Sequence, residues 1–201
     1  AQVAGGTIVL GSLADRIDGD GMKLVHVDGD YGIDDLTIYN DGGDGLYVQV
    51  DKPGDSFNME VSAAVIPSTS LIDTTNGTAF YYDPASADMN FASVSSVNTG
   101  PIPDYGVYID EVTGQITLGD VTVEGTTLEG VHVSNSTVDV TIDDLVVTDA
   151  GAEGVLLSDN NGSVTVTGST TITNPGAAPL KIYNSGALDS VTFDTVDIID
   201  R

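Results

Sequence analysis

Apolar residues along this chain fall in short alternating pairs, and the pairs recur every 24 residues. Gly106-Val107-Tyr108-Ile109, Gly130-Val131-His132-Val133 and Gly154-Val155-Leu156-Leu157 share one register. Earlier copies stand at Gly21-Met22-Lys23-Leu24 and Gly45-Leu46-Tyr47-Val48, and a later one, one residue late, at Pro179-Leu180-Lys181-Ile182. Apolar-polar alternation is the period of a strand, because successive side chains point to opposite faces. A second pair follows in each repeat: Ile116 and Leu118, Val140 and Ile142, Val164 and Val166, Val191 and Phe193. After a two-residue break comes a third: Val121 and Val123, Leu145 and Val147, Val196 and Ile198, with Ile172 displaced by an insertion near Gly168-Ser169-Thr170. Each repeat therefore predicts three short strands, and a period of this length predicts one coil of a solenoid.

The break reads Asp34-Asp35 between Ile33 and Leu36, Gly119-Asp120 between Leu118 and Val121, and Asp143-Asp144 between Ile142 and Leu145. From Ile33, Leu118 and Ile142 the next repeat glycine lies 12 residues on each time, which equates the N-terminal turn with the later ones. Regular coils are expected over residues 15–50 and 106–200, within a single domain spanning 1–201. Between them the spacing stretches to 32 (Gly45 to Gly77) and 29 (Gly77 to Gly106), so residues 51–105 should carry loops, around Pro67 to Asn76 and Thr99 to Asp104. One coil buries about half a dozen side chains at about 1.5–3 kcal/mol each, against about 1–2 kcal/mol per residue for ordering its backbone. Stability must come from stacking. About seven coils at about 4.8 Å spacing give a rod roughly 34 Å long.

The three-strand coil with its two-residue turn, as in Val138-Asp139-Val140-Thr141-Ile142-Asp143-Asp144-Leu145-Val146-Val147, resembles the right-handed parallel β-helix proteins of the pectate-lyase-like superfamily. That superfamily includes tailspikes and bacterial surface proteins. The resemblance covers about residues 15–200 and implies an all-β, single-stranded right-handed parallel β-helix. Family members often place Asn at the short turn, where this chain repeatedly places Asp. Neither end of the sequence reads as capped, which suggests a segment of a longer protein or self-association through exposed coil ends.

Composition narrows the partners. A formal charge of −26 with only five Lys and Arg repels nucleic acid and anionic membranes. The absence of Cys excludes a disulfide framework and thiolate metal sites. No apolar run approaches the roughly 18 residues of a membrane-spanning helix.

Two columns could carry chemistry. The outward position of the first strand runs Lys23, Tyr47, Tyr108, His132, Leu156, Lys181. Tyr47, Tyr108, His132 and Lys181 are the candidate ligand-binding residues, since Tyr rings stack on sugars and the cations suit acidic ones. In the family this face commonly helps form a saccharide cleft. Tyr47 and Tyr108 should lie two coils apart, about 10 Å. The second column is acidic: Asp35, Asp120 and Asp144 are assigned to one turn position, as either a solvated ladder or a site for Ca²⁺, the cation that hard oxygen ligands favour. The family's lyase chemistry uses Arg or Lys as base, yet the only arginines are Arg16 and Arg201, near the ends, leaving Lys181 as the sole well-placed substitute. His26 and His132 carry no nucleophilic motif. The sequence therefore points to a structural or adhesive, non-enzymatic segment of a secreted or cell-surface protein, bacterial in origin, that binds a glycan on its first-strand face. The alternative is a polysaccharide lyase or glycoside hydrolase.

Overall fold

A computed structural model describes residues 2–3, 6–50, 56–62, 68–100, 102–183 and 189–199. The strands form three parallel ladders, one strand of each per coil. The first ladder has seven strands: Met22–Val25, Leu46–Gln49, Phe80–Asp83, Val107–Asp110, Val131–Ser134, Val155–Ser158 and Leu180–Tyr183. The second and third ladders join into one sheet through two long strands, Ser163–Thr173 and Ser190–Ile199, each of which runs around the corner between them. Val107, Val131 and Val155 stack as expected. Among the described residues no helix is long and apolar enough to cross a membrane.

The repeat glycines follow from crowding at a corner. None of Gly21, Gly45, Gly106, Gly130 and Gly154 has a positive φ, so conformational freedom is not the reason for them. A Cβ on any of the five would meet a γ carbon of its own coil's third strand (Ile38, Ile72, Val123, Val147 or Ile172) and the carbonyl of the next coil's corner residue. In the third coil that corner residue is Ala79, since Phe80 pairs with both Leu46 and Val107. The coil therefore starts two residues after Gly77, and the spacings are 34 and 27 instead of 32 and 29. Ala79 is tolerated where Ser96 takes the column position of Val123, with one γ heavy atom in place of two.

Ser96 belongs to a buried polar column, Asn40–Thr74–Ser96, that the apolar pattern did not show. Burying these groups is tolerable because each is hydrogen-bonded. Thr74 donates to Asn40 Oδ1 at 2.8 Å, Asn40 donates to the Gly43 carbonyl at 2.7 Å, and Ser96 donates to the Gly77 carbonyl at 2.8 Å. The two longer coils are filled by aromatics: Phe80 packs edge-on against Phe91 at 6.0 Å and 5.8 Å from Tyr82, which lies 6.4 Å from Phe57.

Strand register also corrects the N-terminal turn. Ile33 aligns with Val61, Met89 and Ile116, not with Leu118, and Ile38 aligns with Ile72, Val94 and Val121. The common count of 12 conceals a corner between third and first ladders that is two residues shorter in the N-terminal coil. Part of the loop expected around Pro67 to Asn76 is instead the third-ladder strand Leu71–Thr75, while Pro67 lies outside the described residues. Residues 98–100 and 102–106 carry no strand, as expected for Thr99 to Asp104. Where Ile172 falls one residue late, Thr170 takes the inward position opposite Leu145.

Candidate functional site

The outward column of the first ladder is a continuous stack. Tyr47 and Tyr108 are two coils apart, and the rung between them is Tyr81. Tyr47 and Tyr81 stack at 4.5 Å and 14°, and Tyr81 and Tyr108 at 4.7 Å and 15°. Lys23 caps one end, its Nζ 4.6 Å from the Tyr47 ring centre, and His132 continues the other, 5.1 Å from Tyr108. Parallel strands set the spacing: side chains in register about 4.8 Å apart bring rings close to stacking distance without a special rotamer. The faces of Tyr81 are consequently covered by its neighbours, so the column offers ring edges and phenol groups outward. Burial, then the Asp83 carboxylate, pushes the Tyr81 phenol up, and burial, then Asp110, does the same for Tyr108, so both remain O–H donors at neutral pH.

Tyr105, from the loop before the fourth coil, leans over this stack, 4.6 Å from Tyr108 at 43° and edge-on to His132 at 5.5 Å. Between that loop and the column lies a cleft of about 260 Å³, lined by Asp44, Tyr47, Thr78, Tyr81, Pro103, Asp104 and Tyr105. Asp104 is fixed by Thr127, whose hydroxyl donates to it at 2.6 Å. Asp44 accepts the Thr78 N–H at 3.3 Å, and burial, with Asp20 nearby, raises its carboxyl above the usual range.

The cations expected to make the strip basic are each matched by an acid. Lys23 donates to Asp20 at 3.0 Å and Lys181 to Glu153 at 2.8 Å, while His132 Nδ1 faces Glu129 at 3.3 Å and Nε2 faces Ser134 at 2.9 Å. Lys181 stands beyond Leu156, two coils from His132, so it is not part of the stack. Arg16 is committed to Asp73, bonding its carboxylate at 2.9 Å and its carbonyl at 2.6 Å; Arg201 lies outside the described residues. The residues missed in the sequence are Tyr81, Tyr105 and Asp104. Tyr81 was one register correction away, since Ala79 takes the glycine's place before Phe80-Tyr81-Tyr82.

The acidic column divides. Asp120 and Asp144 are adjacent rungs, since Val121 pairs with Leu145. Asp35 is not on their line: Thr37 is the residue that reaches it, through Leu71 and Ser93. Asp144 accepts the Ser169 N–H at 2.6 Å and its hydroxyl at 2.8 Å, and Asp35 accepts the Thr69 hydroxyl at 2.9 Å. The same inter-coil link recurs at Asp139 to Ser163, Asp41 to Asn76 and Asp149 to Asn174. These carboxylates fasten one coil to the next. Among the described residues no three Asp, Glu or His side chains converge as a metal site.

Comparison with known proteins agrees with the geometry. No curated protein and no solved structure is significantly similar to the chain. The profile of the right-handed β-helix region, however, matches residues 23–196, nearly the whole solenoid. With parallel ladders, a 24-residue coil and that match, the chain belongs to the right-handed β-helix family.

Proposed function

We propose that this β-helix is a structural or adhesive segment of a secreted or cell-surface protein, bacterial in origin, that holds a glycan on its first-ladder face along Tyr47, Tyr108, His132 and Lys181. The observation that carries the reading is the cleft between the stacked tyrosines and the Tyr105 loop, where phenol groups and carboxylates converge on a space the size of one sugar ring. The acidic composition supports an extracellular setting, since a high charge keeps a protein soluble in an ionic medium. A non-enzymatic role is favoured over a lyase because Lys181, the one well-placed candidate base, is bound to Glu153 at 2.8 Å and does not line the cleft. On a glycan array the protein should bind weakly, and Tyr108→Ala should weaken binding further by removing the ring against which Tyr105, a wall of the cleft, packs at 4.6 Å. Lys181→Ala should weaken it less, because Lys181 is remote from the stack. Binding unchanged in both variants places the site elsewhere, and turnover of pectate or alginate lost in Lys181→Ala would establish the enzyme instead.

Self-association belongs to the same proposal. A parallel edge with apolar columns can accept another coil end of the same kind. Sedimentation at rising concentration should show oligomers, and a monomer throughout would remove end-to-end association.

A further inference from the structure

The cleft beside the tyrosine stack has a charge opposite to that needed for an acidic sugar. Among the described residues its lining includes two carboxylates, Asp44 and Asp104, and no Lys, Arg or His. Among the described residues the nearest ammonium, Lys23, sits against the far side of Tyr47 and is bonded to Asp20, so three carboxylates face one cation across this end of the ladder. The other polar groups are the phenols of Tyr47, Tyr81 and Tyr105 and the hydroxyl of Thr78. Tyr47 gives its proton to Gln49 Oε1 at 2.7 Å, so its hydroxyl hydrogen is already engaged. The two carboxylates only accept, so a matching ligand must bring donors to them. A uronate would bring a third carboxylate next to two, within a protein of net charge −26. A protonated amine would supply N–H donors to the carboxylates of the lining.

We infer that the cleft takes a primary ammonium group carried on a sugar ring, as in a de-N-acetylated hexosamine, with Asp44 and Asp104 receiving the ammonium and the phenols the ring hydroxyls. This inference rests on the glycan-binding reading and narrows it to a substrate class. The volume supports a single ring: about 260 Å³ is below the about 300–1,000 Å³ that encloses drug-sized ligands. Asp104 is preset for the role, since Thr127 fixes one of its oxygens and leaves the other available. Asp44 is partly buried beside Asp20, and a cation in the cleft relieves the repulsion between them.

The test is calorimetric titration of the intact chain, at low salt and near neutral pH, with four probes: a glucosamine trimer, an N-acetylglucosamine trimer, a galacturonate trimer and spermidine. The glucosamine trimer should bind about tenfold or more tighter than its acetylated form, and galacturonate should not bind. Asp104→Asn and Tyr105→Ala should each weaken the glucosamine trimer about tenfold. Asp88→Asn, which removes the same charge from the exposed second ladder, should leave it unchanged and so separates the site from the general attraction of an acidic protein. Equal affinity for the acetylated trimer, still lost in Tyr105→Ala, would overturn the ammonium assignment while keeping the glycan site. Spermidine binding as tightly, with the same dependence on Asp104, would overturn the sugar carrier. An equal loss in Asp88→Asn, or tight galacturonate binding, would overturn the inference outright. Binding of none of the four would remove the glycan reading together with it.

Discussion

Replacing Gly130 with alanine should cost about 3 kcal/mol of stability, a fall in melting temperature of about 6–12 °C for a chain of this size. The added methyl would overlap Val147 Cγ1 on the inside of the corner and lie 2.7 Å from the Gly154 carbonyl of the next coil. Neither neighbour yields easily. The valine is fully buried, and the carbonyl accepts the Val131 N–H at 3.0 Å in the ladder. The third coil indicates how the conflict can be relieved, because there Ala79 coexists with Ser96 in the column of Val147. Val147→Ala alone should cost about 2 kcal/mol through lost burial. Combined with Gly130→Ala, the loss should fall short of the sum by about 1 kcal/mol or more, read from urea midpoints in a double-mutant cycle. Strict additivity would show that the γ methyl is not what excludes the Cβ.

Acid should loosen the solenoid from its carboxylate links outward. Hydrogen bonds from Ser163 hold the Asp139 carboxyl below its ordinary 3.8, the Ser169 backbone and hydroxyl do so for Asp144, and Asn76 followed by Thr75 for Asp41. A carboxylate whose pKa is depressed by folding contributes stability that is whole above the unfolded value and lost as pH falls through the folded one. For these three the loss begins below about pH 4. Asp44 works in the opposite sense: burial and Asp20 raise its pKa, so protonating it on the way down from neutrality adds stability before that loss begins. Thermal melts followed by circular dichroism should therefore hold steady or rise from about pH 7 to about 4 and drop steeply below. In a triple variant carrying Asp41→Asn, Asp139→Asn and Asp144→Asn, which keeps an acceptor but removes the titration, the acid limb should flatten. An unchanged limb would assign acid sensitivity to other groups.

The difference between what the sequence predicted and what the structure contains lies in a few positions. Coils from Gly106 onward were legible because Val, Ile and Leu fill most inward positions and Gly106, Gly130 and Gly154 mark three successive corners. Coils between residues 51 and 105 were not, since Ala79 and Ser96 exchanged bulk across the corner and Thr74 and Ser96 put polar atoms where an apolar pair was sought. A hydrogen-bonded buried side chain looks the same in sequence as an exposed one. Tyr47, Tyr108 and His132 were found because they sit at a fixed offset from a corner glycine. Tyr105 and Asp104 lie in a loop, where no period applies. The carboxylates misled for a related reason: their partners lie 24 to 35 residues downstream, a distance set by loop insertions that only the register resolves.

The equal corners of the later coils make the rod a graduated scale. Excising Val131–Gly154 would join Gly130 to Val155 across the same kind of corner that Gly154 makes, leaving every ladder in register. Lys181 would move one graduation, about 4.8 Å, closer to Tyr108, and the rod would shorten by the same amount. Gain or loss of whole coils thus changes the distance between two surface features without redesigning either, and a lineage built on this plan can adjust its reach in discrete steps.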